Sequence, residues 1–270
     1  KPKHRKLMKT FFHQRFGFSD DAALSSVFRN KTVLHAGIGS GQTEQYYLQE
    51  TTEVWGVDIS ESVDACRKNW KKHYPALEKK LHLIQADLMQ MPFEDRTFDI
   101  VLSDGVFHHT PDTFKALEAA SKKVKENGLI IFYVYRKKSP IREFVDDFIR
   151  EKISALPPED AWEKLEPITH LARDLSRKKI RVSVPCEIDL LEIPRGEFDL
   201  QRLFYWHMFK CYWNESFSFD ENNHVNFDWY YPRYAWRQTP EEVSDWLTNL
   251  GFKTVHFDVS ESGISVIARN

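Results

Sequence analysis

Short apolar runs alternate with longer polar and amphipathic stretches along residues 31–135. Five of the runs have the length of strands, at 32–36, 53–57, 81–85, 98–103 and 129–135. Helices are predicted between them, at 41–49, 60–74 and 111–126. Apolar strands that are separated by helices are typical of a parallel sheet covered on both faces. The pattern therefore predicts a doubly wound α/β fold.

The alternation stops at Arg136 and resumes near Thr239. Thr239 and Glu242 have the spacing of a capping box and predict a further helix. The runs at 253–259 and 264–268 then predict two strands that form an antiparallel hairpin at the sheet edge. The predicted fold is thus a mostly parallel, seven-stranded, Rossmann-like sheet with a final antiparallel hairpin strand and a large, mostly helical insertion after strand five.

This pattern also predicts how the chain is organised. Residues 1–30 are expected to form an N-terminal helical lid. Residues 31–135 and 237–270 are expected to form the nucleotide-binding core. Residues 136–236, which the simple fold does not require, are expected to form an inserted substrate or cap subdomain.

Composition narrows the class of protein. Hydrophobic residues make up 41% of the chain and charged residues 29%, which favours a globular protein with a real core. The formal net charge of −2 argues against a nucleic-acid partner. Three scattered cysteines predict reduced thiols, with neither a disulfide framework nor a metal site. The apolar runs are too short to cross a membrane, so a cytoplasmic location is expected.

A glycine-dense turn follows the first predicted strand. It contains Gly37, Gly39 and Gly41, and the second strand ends at Asp58. Glycines let a backbone approach a ligand closely, and an acid at this distance is where nucleotide-binding sheets hold ribose hydroxyls. A dinucleotide motif would carry its third glycine at Gln42. The spacing therefore indicates an adenosine-containing cofactor other than a dinucleotide.

Two downstream segments add to this signal. Residues 85–101 read QADLMQMPFEDRTFDIV and residues 103–112 read SDGVFHHTPD. With the glycine turn, they resemble the class I S-adenosylmethionine-dependent methyltransferases, in particular the branch that acts on small molecules. The resemblance covers residues 31–135 and 237–270, about half of the chain.

The resemblance implies S-adenosylmethionine as cofactor and assigns roles to individual residues. The turn from Gly37 to Gly41 would pass beneath the methionine and ribose. Asp58 would accept hydrogen bonds from the ribose hydroxyls, and Ile59 would pack on the adenine. Asp87 would bind the adenine amino group, with Leu88 supplying a backbone amide. The alternatives are that Asp58 caps a helix and that Asp87 is a turn residue.

The methionine end of the site departs from the family pattern. Ser103 would lie beside this end, but His35 stands where the family carries an acid at the end of strand one. A neutral imidazole accepts one hydrogen bond and provides no full negative charge. His35 therefore leaves open weaker binding, a different cofactor pose or a degenerate enzyme.

His108 and His109 are the candidate catalytic bases. They follow strand four, near the carboxyl edge where open α/β sheets bind ligands. Histidine has a pKa suited to removing a proton from a methyl acceptor. The alternative is that one of the pair packs beneath the loop, and of the two we favour His109 for the substrate-facing role.

Candidate substrate contacts lie in the insertion and at the end of strand five. Residues 198–236 are rich in aromatic side chains, and Pro232 argues against a simple helix over 227–236. Aromatic rings with polar tips make a good wall for a polar ligand, although these rings also suit the core of a subdomain. Arg142 and Arg150 are interpreted as solvated helix faces. The candidate substrate contacts are Tyr135, Arg136, Trp229, Tyr230, Tyr231 and Arg233.

The leading hypothesis is a methyltransferase that acts on an oxygen or nitrogen of a small polar metabolite, such as a sugar, a glycan precursor or a secondary metabolite. An RNA or tRNA methyltransferase and a non-catalytic binding module with this fold are the alternatives. The expected partner is a small-molecule substrate, with no membrane span. The sequence gives no indication of oligomeric state.

Overall fold

A computed structural model describes residues 2–270, with side chains from Met8 onward. The chain divides into two compact units. The first comprises the residues up to Arg136 together with Gln238–Asn270, and the second is Lys137–Arg237.

The first unit is built on a seven-stranded sheet in the order β3-β2-β1-β4-β5-β9-β8. Strands β1 to β5 are parallel, whereas β9 is antiparallel to both β5 and β8. This confirms the predicted fold class. The strands are β1 (Thr32–Ala36), β2 (Glu53–Asp58), β3 (Leu81–Gln85), β4 (Phe98–Asp104), β5 (Val124–Tyr135), β8 (Lys253–Val259) and β9 (Gly263–Arg269).

Both faces of this sheet are covered. Side chains alternate between the faces of a strand, and in β1 Val33 and Leu34 accordingly belong to different hydrophobic clusters. The cluster with Val33 also contains Phe16 and Phe18, so the N-terminal segment contributes to the core of this unit. The lid role of residues 1–30 stays a prediction. The helices of the unit are α1 (Pro2–Phe16), α2 (Asp21–Phe28), α3 (Ser62–His73), α4 (Thr113–Ser121) and α9 (Pro240–Asn249).

Two predicted helices are shorter than expected. Instead of a helix at 41–49 there is one 3-10 turn, Glu44–Tyr46, because the backbone hydrogen bonds after it mix three- and four-residue spacings. The helix predicted to reach residue 126 ends at Ser121. Strand β5 has already begun at Val124, which pairs with Phe98 before the register shifts.

The second unit is mostly helical, as the pattern predicts for the insertion. A two-stranded antiparallel sheet accompanies its four helices in the described chain. One expectation is wrong here: the last helix continues to Tyr230, so the irregular segment begins later than residue 227. The elements are α5 (Pro140–Ile153), α6 (Pro158–Lys178), β6 (Arg181–Val184), β7 (Gly196–Asp199), α7 (Leu200–His207) and α8 (Phe219–Tyr230).

The described residues contain neither a candidate membrane span nor a candidate metal site. None of the helices combines the length and the apolar character that a membrane span needs. Within the same residues, His, Cys, Asp and Glu side chains form no cluster of three that could hold a metal ion.

Candidate functional site

The glycine turn lies at the carboxyl edge of the sheet, beside the point where the strand order changes direction. Gly37, Gly39 and Gly41 all have positive φ, at 86°, 54° and 76°. A Cβ at Gly37 would lie 2.3 Å from the Val106 side chain, in the loop after β4. A Cβ at Gly39 would meet no atom of the described chain within 4 Å. The turn is therefore packed from one side and leaves its middle glycine accessible to a ligand.

Asp58 connects this turn to the end of β2. Its Oδ2 accepts a hydrogen bond from the Gly39 backbone N–H at 2.9 Å, and its Oδ1 accepts from the Ser60 hydroxyl at 2.7 Å. The Ser60 hydroxyl also lies 2.7 Å from Ser62 Oγ, so it has a second acceptor if a ligand hydroxyl takes its place. Helix α3 is preceded by Glu61, not by Asp58, so the structure does not show the helix-cap alternative.

Ile59 follows Asp58 with 69% of its side chain exposed. An exposed apolar side chain next to a carboxylate suits a ligand with a flat base and a hydroxylated sugar. The adenine role of Ile59 stays a prediction.

Asp87 and Leu88 start the 3-10 turn Leu88–Gln90. Asp87 Oδ1 accepts a hydrogen bond from the Met89 backbone N–H at 2.8 Å, so Asp87 has the turn role of the alternative hypothesis. Its side chain is also exposed, whereas Leu88 is buried. The turn role uses Oδ1, so a role of Asp87 toward an adenine amino group stays compatible with the geometry.

The Ser103 hydroxyl has a partner within the sheet. It is fully buried, and its hydroxyl donates to the Ala36 carbonyl at 3.0 Å. This bond joins the ends of β1 and β4, because a buried hydroxyl must find a partner. Ser103 therefore holds the strand ends together, and its place beside the methionine end of the cofactor stays a prediction.

A buried polar cluster surrounds His35. Its ring is 3% exposed, and its Nδ1 lies against a carboxylate oxygen of Glu44, which is fully buried. The Tyr47 hydroxyl is 3.0 Å from the same Nδ1. Burial and the neighbouring Glu44 charge raise the pKa of Tyr47 well above its usual value, so this hydroxyl keeps its proton. An acid is thus present beside the end of β1, although it comes from the following turn.

Sequence reasoning missed Glu44 as a site residue. The available signal was the spacing of Glu44, Tyr47 and Leu48, which is that of one buried helix face. A carboxylate on a buried face needs a partner nearby, and here that partner is His35.

The two candidate bases differ in exposure. His108 is fully buried and stacks on Tyr135, with 3.7 Å between ring centres, whereas His109 is partly exposed. His108 is thus a packing residue, because a buried ring cannot reach a substrate. The structure leaves His109 as the candidate base. Tyr135 ends β5 at the same carboxyl edge, and the next residue, Arg136, bridges to Gln238.

An ion pair that the sequence did not predict lies at the end of β4. Arg15 of α1 binds the Asp104 carboxylate, and its guanidinium lies 4.0 Å from the centre of the Tyr133 ring. Burial lowers the pKa of Arg15, but the charge of Asp104, the Tyr133 and Tyr135 side chains and the hydrogen bond to Asp104 together leave it above the usual value. The guanidinium therefore stays charged and ties the N-terminal helix to the carboxyl edge.

The predicted substrate contacts of the second unit fall into two groups. Trp229 and Tyr230 are 3% and 0% exposed, and both donate hydrogen bonds to the buried Asp146 carboxylate, at 2.8 and 2.9 Å. Their assignment to a ligand wall is thus corrected, since they are core residues. Tyr231 is partly exposed and stacks on Phe227, whereas Arg233 is exposed.

The interpretation of Arg142 and Arg150 as solvated residues is wrong. They are 1% and 6% exposed. Arg142 Nε donates to Asp146 Oδ2 at 3.1 Å, and Arg150 Nη2 donates to the Trp229 carbonyl at 2.9 Å. Buried charges of this kind are found where they are paired. These residues thus form a buried charged network in the second unit.

Lys210 belongs to this network, and it gives a prediction of pH dependence. Burial and then the charge of Arg142 lower the pKa of Lys210 to about 7; Arg150 acts in the same direction, against Asp146 and Asp228. The unfolded chain holds the proton up to pH ~10, so stability should rise between pH ~7 and ~10. We expect Lys210→Met to stabilise the protein by about 1–2 kcal/mol at pH 7, because a permanently neutral side chain removes this cost.

Urea unfolding at pH 7, 8.5 and 10 measures this effect. The advantage of the Lys210→Met variant should shrink as pH rises. A stability difference between the two proteins that is the same at all three values would contradict the assignment.

Comparisons with known proteins are consistent with a cofactor site at the glycine turn. Residues 34–132 match a family model described as a methyltransferase domain. A demethylmenaquinone methyltransferase of Staphylococcus haemolyticus is 34% identical over 79 residues, which make up 29% of this chain and 31% of that protein. An uncharacterized protein of Methanocaldococcus jannaschii is 32% identical over 151 residues, 54% of this chain and 61% of the relative. The chain thus spans less than two thirds of the length of these relatives.

A solved structure shares the fold. A possible exported protein from Bordetella parapertussis superimposes with a TM-score of 0.50 and 16% identity, over 93% of this chain and 65% of that one. At this identity the likeness shows the fold alone. The methyltransferase-domain match runs from within β1 to within β5 and includes the glycine turn and Asp58. Residues 34–132 thus match a methyltransferase domain, which supports the resemblance to the class I S-adenosylmethionine-dependent methyltransferases.

Proposed function

We propose that this protein transfers a methyl group from S-adenosylmethionine to an oxygen or nitrogen of a small polar metabolite. The observation that carries the proposal is the accessible backbone at Gly39, held by the Asp58 carboxylate and followed by the exposed Ile59. This arrangement offers a place for backbone contact, an acceptor for hydroxyls and an apolar surface. A relative named as a demethylmenaquinone methyltransferase supports a small-molecule acceptor.

The residues present fit this cofactor. When bound, S-adenosylmethionine supplies a methyl group on a positively charged sulfur, ready for displacement by a nucleophile. Asp58 would accept the ribose hydroxyls, and Asp87 the adenine amino group, with charge-assisted hydrogen bonds. The protein has then to place the acceptor in line and exclude water.

Glu44 completes the charge balance of the site. The methionine part of the cofactor is cationic, and the family pattern places an acid at the end of β1 to face it. In this chain Glu44 lies against His35 at that position. We assign to the pair the role of that acid, with His35 as the residue that positions the Glu44 carboxylate and the glycine turn.

His109 is the proposed base for acceptors that must lose a proton. Its side chain is partly exposed at the carboxyl edge, while the buried His108 supports it from below through ring contact at 4.3 Å. An imidazole titrates near neutral pH and can remove a proton during transfer.

Calorimetric titration with S-adenosylmethionine and its demethylated product tests the proposal. We expect binding by the wild type and a loss of about tenfold in Asp58→Asn, because the amide keeps an acceptor for Gly39 but loses the charge-assisted bonds. Asp64→Asn is a matched control, since Asp64 is an exposed acid on α3 that pairs with Arg67 at 2.7 Å.

Three outcomes are informative. If the wild type binds neither compound, the proposal falls and a non-catalytic module with this fold takes its place. Equal losses in the two variants would remove Asp58 from the site. Salt-dependent binding of bulk tRNA together with S-adenosylmethionine would replace the metabolite by RNA.

A further inference from the structure

A cavity of about 600 Å³ lies within the second unit. Helix α5 and the irregular segment 233–237 supply most of its lining. Its volume falls in the range of small-molecule sites, roughly 300–1,000 Å³. None of the residues assigned to the cofactor contributes to it.

Positive charge dominates the polar lining of this cavity. Four cationic side chains face three carboxylates. Two of these carboxylates are taken by one arginine: Arg237 donates to Glu143 Oε2 at 2.9 Å and to both oxygens of Asp147 at 2.7 Å. Arg150 also donates to Asp147, so the two arginines together balance these two acids. Lys137 and Arg233 then face Glu151, which leaves a net positive charge on the lining.

Arg150 is the buried cation of the lining. It is 6% exposed, and it donates from Nη1 to Asp147 Oδ1 at 2.7 Å and from Nη2 to the Trp229 carbonyl at 2.9 Å. Its Nε donates to no acceptor anywhere in residues 2–270 as described. A buried donor without an acceptor is costly, by about 1–3 kcal/mol. Arg150 therefore supplies a positive charge to the lining, although its Nε itself is closed to solvent.

Two exposed cations and an aromatic surface lie on the same cavity. Lys137 and Arg233 are exposed, and the Arg233 guanidinium is 5.4 Å from the centre of the Tyr234 ring. Trp236 is 48% exposed and nearly parallel to Tyr234, at 20°. Guanidinium groups bind carboxylates and phosphates through planar, bidentate hydrogen bonds, and a large exposed ring offers a flat apolar contact.

We propose that this cavity binds a small molecule that carries a carboxylate or phosphate group on a flat ring. Arg150 and Arg233 hold the anionic group, and Trp236 contacts the ring. The binding of such an anion does not depend on the proposed function.

Ligand-observed NMR titration of the full chain with small aromatic anions tests the site. Benzoate and phenyl phosphate represent the two anionic groups, and benzyl alcohol is their uncharged match. We expect both anions to bind in the millimolar range, more tightly than the alcohol. The anion that binds more tightly identifies the preferred anionic group, carboxylate or phosphate. Arg233→Gln should weaken their binding at least fivefold, because it removes an exposed cation that other side chains do not need for folding.

Controls separate this site from general charge effects and from the cofactor site. Arg177→Gln removes an exposed arginine of the same unit, which pairs with Glu215 at 3.2 Å, and should leave anion binding unchanged. Arg150→Gln should abolish it, with the fold checked by circular dichroism. Anions that bind no better than benzyl alcohol, or an Arg233→Gln variant that binds like the wild type, overturn the proposal. Calorimetry with S-adenosylmethionine on the same samples reports separately on the methyltransferase assignment.

Discussion

Glu44→Gln is expected to weaken S-adenosylmethionine binding by about 10- to 100-fold. The fully buried Glu44 acts through its charge and not through direct contact. Hydrogen bonds to a charged group, the upper bound for this effect, are worth roughly 1.5–3 kcal/mol, and a tenfold change in affinity corresponds to about 1.4 kcal/mol. Glutamine keeps the size of the side chain but cannot oppose the cationic methionine end of the cofactor. Calorimetric titration of both proteins measures the difference.

Glu50→Gln is the matched control. Glu50 follows in the same segment, but its side chain is 34% exposed and faces Arg29 at 3.8 Å. Solvent screens such a pair, so its removal should change affinity less than twofold. Thermal unfolding of all variants shows whether a loss of binding merely reports a loss of fold.

A rescue experiment sharpens the assignment. His35→Asp alone places two buried acids together and should weaken binding, because like charges oppose each other. His35→Asp combined with Glu44→Gln returns a single acid to the end of β1 and should recover much of the affinity. A folded Glu44→Gln variant that binds S-adenosylmethionine as tightly as the wild type would show that the pair has no part in cofactor binding.

The sheet and the cofactor turn could be predicted because their signals are local. Each strand is a short apolar run, and the alternation with helices fixes a parallel sheet before any long-range contact is known. The glycine turn and Asp58 are likewise close in sequence, so their spacing alone placed them at one edge. The hydrogen bond of Ser103 could not be predicted this way, because its partner, Ala36, is on another strand.

The buried polar residues were the hardest to predict. Arg142, Asp146 and Arg150 follow each other at four-residue spacing on one face of α5. Helical periodicity alone predicts that such charges lie on a solvent-exposed face, because charged residues are rarely buried without partners. Their partners, Trp229 and Tyr230, lie about 80 residues further along the chain. Only the tertiary structure brings the two segments together.

This buried network gives the prediction with the largest effect on stability. Arg142→Met should destabilise the protein by about 3–5 kcal/mol, because it leaves the Asp146 carboxylate buried without its paired cation. The Asp146 side chain is 2% exposed, and besides Arg142 it accepts from Trp229, Tyr230 and the Lys210 backbone N–H, all of them neutral donors. Urea unfolding at pH 7 measures the loss.

Two further variants test whether the missing positive charge of Arg142 causes the loss of stability. Arg177→Met removes a surface arginine from the same unit and should change stability by less than about 0.5 kcal/mol. Arg142→Met combined with Asp146→Asn leaves no buried charge at this position, so it should recover a large part of the loss. A double variant as unstable as the sum of its parts would mean that packing around Arg142, including its contacts with the Tyr205 and Trp229 rings at 4.9 and 5.2 Å, carries the stability instead.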